Sequence, residues 1–231
     1  MPYGVSFNQP NQNQYCQRDR TYVAPPPPRY IPMTTKPAMQ QKPQVSQNEQ
    51  FFINKYGTAV VNKAKEVAKN VNCDWIDLIE VMYSESGMDP HQCDRNKKSG
   101  KIQGAVGLIQ FTQITIDELN KNNPGLNLTK EKLVAMDAVQ QLTYVQKYYE
   151  MSKKNAGFSD GHKLSESELY ALTFMPGNAK NEVLSSSGSE SYASNKALDK
   201  NNDGRITKTD LQTHINNRLT ELYGKKLNLH A

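Results

Sequence analysis

Glu85 ends an apolar run, Trp75 to Tyr83, and is followed at once by Ser86, Gly87, Met88, Asp89 and Pro90. An ionised carboxylate is disfavoured there, because a helix C-terminus already carries partial negative charge and the neighbouring turn is apolar. Both effects raise the pKa of a carboxyl group. A glutamic acid that keeps its proton near neutral pH suits general acid chemistry, and glycosidic cleavage needs such an acid on the leaving oxygen. Many glycosidases add a second carboxylate as base or nucleophile. Asp89 and Asp94 are the nearest acidic residues downstream, and spacing alone assigns neither to the same cleft. The alternative for a lone glutamate here is a solvated helix end.

The second candidate segment is Gly104-Ala105-Val106-Gly107-Leu108-Ile109-Gln110-Phe111. Two glycines bracketing small and apolar residues, with one glutamine among them, suit a tight backbone wall beside a cleft. The same pattern also suits a packed turn or a short strand.

The third is Asp199-Lys200-Asn201-Asn202-Asp203-Gly204-Arg205-Ile206-Thr207-Lys208-Thr209-Asp210. Oxygen side chains of Asp199, Asn201, Asp203, Thr207 and Asp210 fall at positions one, three, five, nine and twelve. Gly204 supplies the sharp turn, and Arg205 at position seven offers its backbone carbonyl. This is close to an EF-hand loop, in which hard oxygens surround Ca²⁺. Asp210 stands where glutamate is usual, and its shorter side chain predicts modest affinity and a structural ion. An ordinary Asn/Asp turn before a helix is the competing reading.

Positioning these groups falls to helices. Val60, Ala64, Val67 and Val71 recur at helical spacing, and Trp75, Leu78, Ile79 and Met82 form the stripe of a second helix that Asp74 would cap, with a turn near Asn72 between the two. At 100° per residue Glu85 falls in line with Leu78, at the edge of that stripe. A polar loop, 95–100, precedes the Gly104 segment, which allows a small hairpin but no large sheet. A helix is expected from about Ile114 to the break at Asn123-Pro124-Gly125. Leu133, Met136, Val139, Leu142, Val145 and Tyr149 mark a long helix from near Thr129. Ser165 and Glu168 form a capping box for a helix from Glu166 to Met175, stopped by Pro176 and Gly177.

Residues 1–48 are rich in Asn, Gln and Pro, including Pro25 to Pro28, and read as a disordered arm without a core of its own. That arm explains why hydrophobic residues make up only 36% of the 231. The remaining segment, 49–231, is long enough for one sizeable helical domain. A net charge of +5 is too mild to name an anionic partner, and no Lys/Arg block is interleaved with aromatics, so no nucleic-acid partner is expected. Cys16, Cys73 and Cys93 form neither a disulfide framework nor a zinc motif and read as reduced thiols, a Cys73–Cys93 bridge being the alternative. His91, His162, His214 and His230 are scattered and read as surface or cap residues. There is no secretory signal pattern and no apolar run long enough to span a membrane.

In order and separation, the Glu85-Ser86-Gly87-Met88-Asp89-Pro90 and Gly104 to Phe111 motifs resemble the paired signatures of lytic transglycosylases and goose-type lysozymes, particularly the muralytic domains of bacteriophage virion proteins. The likeness runs on through Met136, Gln141-Leu142, Tyr144-Val145 and Tyr148 to Leu169-Tyr170-Ala171-Leu172, covering about residues 60–215. The resemblance implies a mainly α, lysozyme-like domain with the EF-hand-like calcium loop at its C-terminal side and a groove for peptidoglycan glycan strands. It implies Glu85 as the catalytic acid, Gln110 as a sugar-binding amide, Gly107 as a point of close backbone approach, and Ser86 as a residue orienting the acid or the substrate. It further implies delivery by a phage particle, with the arm meeting other virion proteins.

In a transglycosylase one glutamate acts first as acid and then as base toward the 6-hydroxyl of the muramoyl sugar, whereas a lysozyme activates water. The sequence leaves both open, along with a wall-binding protein without catalysis. One departure bears on this. The family's later tyrosine, which contacts the catalytic acid, is replaced in Thr173-Phe174-Met175-Pro176-Gly177 by Phe174, leaving Tyr170 and Tyr192 as the candidates to reach the site from elsewhere.

Overall fold

Asp74 accepts a hydrogen bond from the Ile76 N–H at 2.8 Å and so starts the helix that carries Glu85. In the computed structural model, which describes residues 46–224, that helix is the third, α3 (Trp75–Ser86), after α1 (Gln47–Tyr56) and α2 (Thr58–Val71). Asn72, in the left-handed conformation, ends α2, and Gly87 ends α3 in the same way. The antiparallel hairpin β1 (Cys93–Arg95) and β2 (Ile102–Val106) follows, then α4 (Gln113–Asn122), α5 (Lys130–Val134), α6 (Ala138–Asn155) and α7 (Glu166–Phe174). The described residues end with β3 (Val183–Ser186), α8 (Glu190–Asn195), β4 (Arg205–Thr207) and α9 (Lys208–Tyr223). The structure is thus mainly helical, with two two-stranded sheets among the described residues. No described helix is long and apolar enough to cross a membrane.

The core follows the expected stripes except at Val60 and Trp75, which are half-buried, Val61 taking the enclosed place at the start of α2. Leu78, Ile79 and Met82 of α3 and Ala64 and Val67 of α2 are fully enclosed, and each large apolar side chain so buried contributes about 2 kcal/mol. α2 packs on α6, while α3 lies against α2, α7 and α9. Two boundaries differ from the sequence reading. The single long helix from Thr129 is two: Thr129 caps α5, and Asp137 and Gln140 form a reciprocal capping box that restarts the chain as α6. The last three residues assigned to the arm begin the folded unit, because Ser46 accepts from the Glu49 N–H and caps α1. The rest of the arm lies outside the described residues.

Between α3 and α4 the chain has little regular structure, and a buried amide holds it. Gln141 of α6 is completely enclosed; its Nε2 donates to the carbonyls of Pro90 (2.5 Å) and Leu133 (2.7 Å), and its Oε1 accepts from the Leu108 N–H at 2.9 Å. Gly107 lies against this amide at φ +73°, and a methyl group on its α-carbon would overlap Gln141 Oε1. Gly104 has a similar φ of +65°, but its surroundings are open, with the Asp94 carboxylate 3.9 Å from the place of a Cβ. Ala at Gly104 is expected to cost about 1 kcal/mol for the left-handed backbone alone. Ala at Gly107 adds displacement of a three-bond amide and should lose about 3 kcal/mol or more. Urea denaturation of the two variants checks the difference.

Candidate active site

The site begins where α3 ends. Ser86 Oγ points back to the Met82 carbonyl (3.0 Å) and across to the Leu108 carbonyl (2.9 Å), which ties the last turn of α3 to the Gly107 loop. That loop is a closed turn: Val106 and Phe111 exchange both backbone hydrogen bonds, at 3.1 and 2.7 Å, and the Gly107 N–H donates to the Gln92 carbonyl at 2.8 Å. Gln110 completes the turn at φ +52°, with its Nε2 on the Gly107 carbonyl at 2.9 Å. Among the described residues nothing donates to Gln110 Oε1, so this half-buried amide retains an acceptor. Glu85, Ser86, Gly107 and Gln110 are therefore parts of one junction. Within it Ser86 and Gly107 are fasteners of the chain to itself, and Glu85 and Gln110 carry the polar atoms.

Glu85 is partly buried, and loss of water around its carboxyl pushes its pKa up to about 7. The one group that pulls it back is Tyr170 of α7, whose phenol lies beside the carboxyl. Tyr170 is 5% exposed, and burial with the Glu85 charge beside it holds its phenol well above the ordinary range. Tyr170 lies four residues before Phe174, one helical turn back on the same face of α7. Tyr148 and Tyr149 of α6 stand close enough for the Glu85 charge to raise both phenols, Tyr148 to about 12, although burial is the larger cause for each. Their hydroxyls are already spent, Tyr148 donating to the Leu172 carbonyl (2.6 Å) and Tyr149 pairing with Thr173 Oγ1 (2.8 Å). Tyr170 is left as the phenol that serves Glu85.

The other candidates lie apart. Asp89 accepts from the His91 N–H at 2.8 Å, Asp94 is exposed on β1, and neither is among the groups that shift Glu85. Tyr192 donates to Asp199 Oδ2 at 2.7 Å and belongs to the 199–210 loop. Cys73 and Cys93 are free thiols. His91 Nδ1 contacts the Val134 carbonyl at 2.7 Å, His162 pairs with Glu168 at 3.0 Å, and His214 stacks 5.8 Å from the Tyr170 ring with its pKa lowered by burial.

The 199–210 loop folds around its own acids. Asp199 Oδ1 accepts from the Asp203 N–H and Oδ2 from the Gly204 N–H, while the Tyr192 hydroxyl, with these amides, holds its carboxyl below the usual range. Asp203 Oδ1 accepts from the Arg205 N–H, and Asn201 Oδ1 from the Asp203 N–H. Asp210 serves as the third residue of α9 in a capping box with Thr207 and also takes the Lys200 N–H. The exit half is paired to β3, with Ile206 opposite Ser185. Among the described residues no three His, Cys, Asp or Glu side chains stand as a ready metal cluster. The loop contains three carboxylates, an amide oxygen, a hydroxyl and the Arg205 carbonyl, oxygens of the type that hard cations take.

No family model, curated protein or solved structure matches this chain. The chemistry of the site itself therefore carries the functional argument.

Glu85 keeps its proton to about pH 7 in the fold but only to about 4.5 when unfolded. The folded state thus binds the extra proton between those values, and stability falls as pH rises through that window. Glu85→Gln, which cannot ionise, should gain about 3 kcal/mol relative to the native protein between pH 4.5 and pH 7. Urea titrations at pH 5 and pH 8 measure this, and a constant difference at both would contradict the raised acidity.

Proposed function

We propose that the protein cleaves the β-1,4 glycosidic bonds of peptidoglycan glycan strands, as a lytic transglycosylase with Glu85 as acid and then base. The observation that carries this reading is a carboxyl group whose pKa burial pushes up to about 7, with the Tyr170 phenol beside it, at the end of a helix that Ser86 ties to the Gly107 loop. A group half-protonated at neutral pH can give a proton and take one back.

In the first step Glu85 protonates the glycosidic oxygen, the C1–O bond breaks, and the leaving sugar departs with the proton. In the second, the muramoyl 6-hydroxyl attacks C1 and its proton returns to the Glu85 carboxylate, closing a 1,6-anhydro ring. Tyr170 supports both steps by donating to the carboxylate that exists between them, which stabilises the ionised form without a fixed charge. Gln110 offers its free amide oxygen to a sugar hydroxyl or N-acetyl N–H. A single acid suffices for this route. A hydrolase would instead need a positioned base for water, and Asp89 and Asp94 are engaged elsewhere or exposed. Phe174 is the best support for a wall-binding protein without catalysis, and the Tyr170 phenol beside Glu85 weighs in favour of the catalytic reading. Carriage in a phage virion, with the 1–48 arm meeting other virion proteins, belongs to the same proposal through the sequence resemblance.

The proposal includes a structural Ca²⁺ held by Asp199, Asn201, Asp203, Thr207, Asp210 and the Arg205 carbonyl. Its support is the hard-oxygen donor set together with the left-handed turns at Asn202 (φ +59°) and Gly204 (φ +82°).

Purified protein should release soluble muropeptides from sacculi with anhydro-muramoyl ends, one water lighter than reducing ends by mass spectrometry. Glu85→Gln should reduce release at least 100-fold with the fold intact, and release by the native protein should decline as pH rises through about 7. Undiminished release by Glu85→Gln would sink the assignment. Separately, millimolar Ca²⁺ should raise the melting temperature, and Asp199→Ala should remove the rise. Identical melting with calcium and with chelator would refute the cation loop.

A further inference from the structure

Charge is unevenly placed on the folded residues. Of the chain's 28 Lys and Arg and 23 Asp and Glu, 21 and 22 fall within residues 46–224, which are therefore close to neutral. Residues 95–101 hold four of those cations, Arg95, Lys97, Lys98 and Lys101, and no acid, leaving 17 cations against 22 acids on the rest. This cationic stretch is the tip of the β1–β2 hairpin. The single acid of that hairpin, Asp94, lies below the tip on β1, opposite Gln103.

The tip is ordered by its backbone. Asn96 Oδ1 accepts from the Lys98 and Ser99 N–H groups at 2.9 and 3.0 Å. The Asn96 N–H donates to the Lys101 carbonyl (2.9 Å), the Gly100 N–H to the Asn96 carbonyl (2.8 Å), and the Arg95 guanidinium to the Gly100 carbonyl (3.3 Å). None of these bonds uses a lysine side chain. Lys97, Lys98 and Lys101 are exposed, and among the described residues their ammonium groups enter no ion pair. Three such cations side by side repel one another and contribute nothing to the fold.

Both legs of the hairpin start at the candidate site. Gln92, one residue before β1, accepts from the Gly107 N–H at 2.8 Å, and Cys93 stands opposite Val106. Between site and tip, Lys130 Nζ sits on the Gly104 carbonyl at 2.6 Å and adds a further cation to the same leg. From Gln92 to Lys97 the extended chain covers about 16 Å.

We propose that this tip binds the free carboxylates of the peptides that branch from the glycan strand at the site. The proposal rests on the peptidoglycan reading given above. A muramoyl sugar held at Glu85 and Gln110 carries its peptide on the lactyl group, and four residues of extended peptide reach about 13 Å. The terminal carboxylate then meets the lysines while the sugar stays at the glycine turn. A long polyanion such as nucleic acid fits less well, because the body around the tip carries an acidic excess that repels it. The tip supplies affinity for peptide-bearing strands and takes no part in proton transfer.

Binding measured in a Glu85→Gln background tests the tip apart from the chemistry. The probes are soluble glycan strands carrying their peptides and the same strands stripped of peptide by an amidase. Lys97→Gln, Lys98→Gln and Lys101→Gln together should weaken binding to peptide-bearing strands about tenfold at low salt. Binding to bare strands should not change, which also reports an intact fold, and the tenfold difference should vanish by about 0.5 M salt. Removing three exposed cations elsewhere, by Lys69→Gln, Lys121→Gln and Lys196→Gln, should leave both probes unaffected. No weakening, equal weakening for the two probes, or the same loss in the control variant overturns the proposal. Capture of a short DNA duplex through the same lysines, without preference between the two glycan probes, overturns it in favour of nucleic acid. Failure of the native protein to release fragments from either probe would defeat the cleavage reading alone, since the binding comparison needs no cut.

Discussion

A neutral amide joins the two halves of the site. The stretch between α3 and α4 contributes a hairpin and a glycine turn, neither of which could hold its place in water by itself. Gln141, projecting from the rigid α6, collects the Pro90 carbonyl, the Leu133 carbonyl and the Leu108 N–H into one enclosed point. A charged group there would need a counter-charge, and an apolar one would strand three backbone groups. Ser86 then needs only one contact with Leu108 to set the end of α3 against the turn. The bare α-carbon of Gly107 follows from the same packing, because the space beside it belongs to the amide.

The surroundings of Glu85 show how an acid remains an acid inside a protein. Cation partners would lower its pKa and fix it as a carboxylate, whereas full isolation would leave it permanently protonated. Burial beside a single phenol lies between these limits. The neighbouring phenols are occupied by carbonyl and hydroxyl partners on α7, so a single donor remains to respond to the charge on Glu85. α9 closes the other side of α3 and α7 and contacts both.

Much of this was legible in the sequence. The stripes of α2 and α3, the Asp74 cap and the Ser165–Glu168 box follow from local rules of period and capping. What escaped was long-range or competitive. Tyr170 could not be chosen over Tyr192 because the choice depends on how α7 lies against α3, although its four-residue offset from Phe174 was a usable hint. The break at Asp137 was hidden because the apolar period runs straight through a capping box that overrides it. Gly107 and Ser86 sit at the expected junction, but their neighbours are backbone and Gln141, a buried polar contact that no pattern of apolar spacing signals.

The pairing of β4 with β3 sets the character of any response to ions. The strand opposite Ile206 reads Val183-Leu184-Ser185-Ser186 and carries no acid of its own. Among the described residues no twin loop lies across that small sheet to be tightened by an ion bound as proposed. Occupancy would rise gradually with ion concentration, as in a simple one-site isotherm, and would lack the steep threshold that coupled loops give.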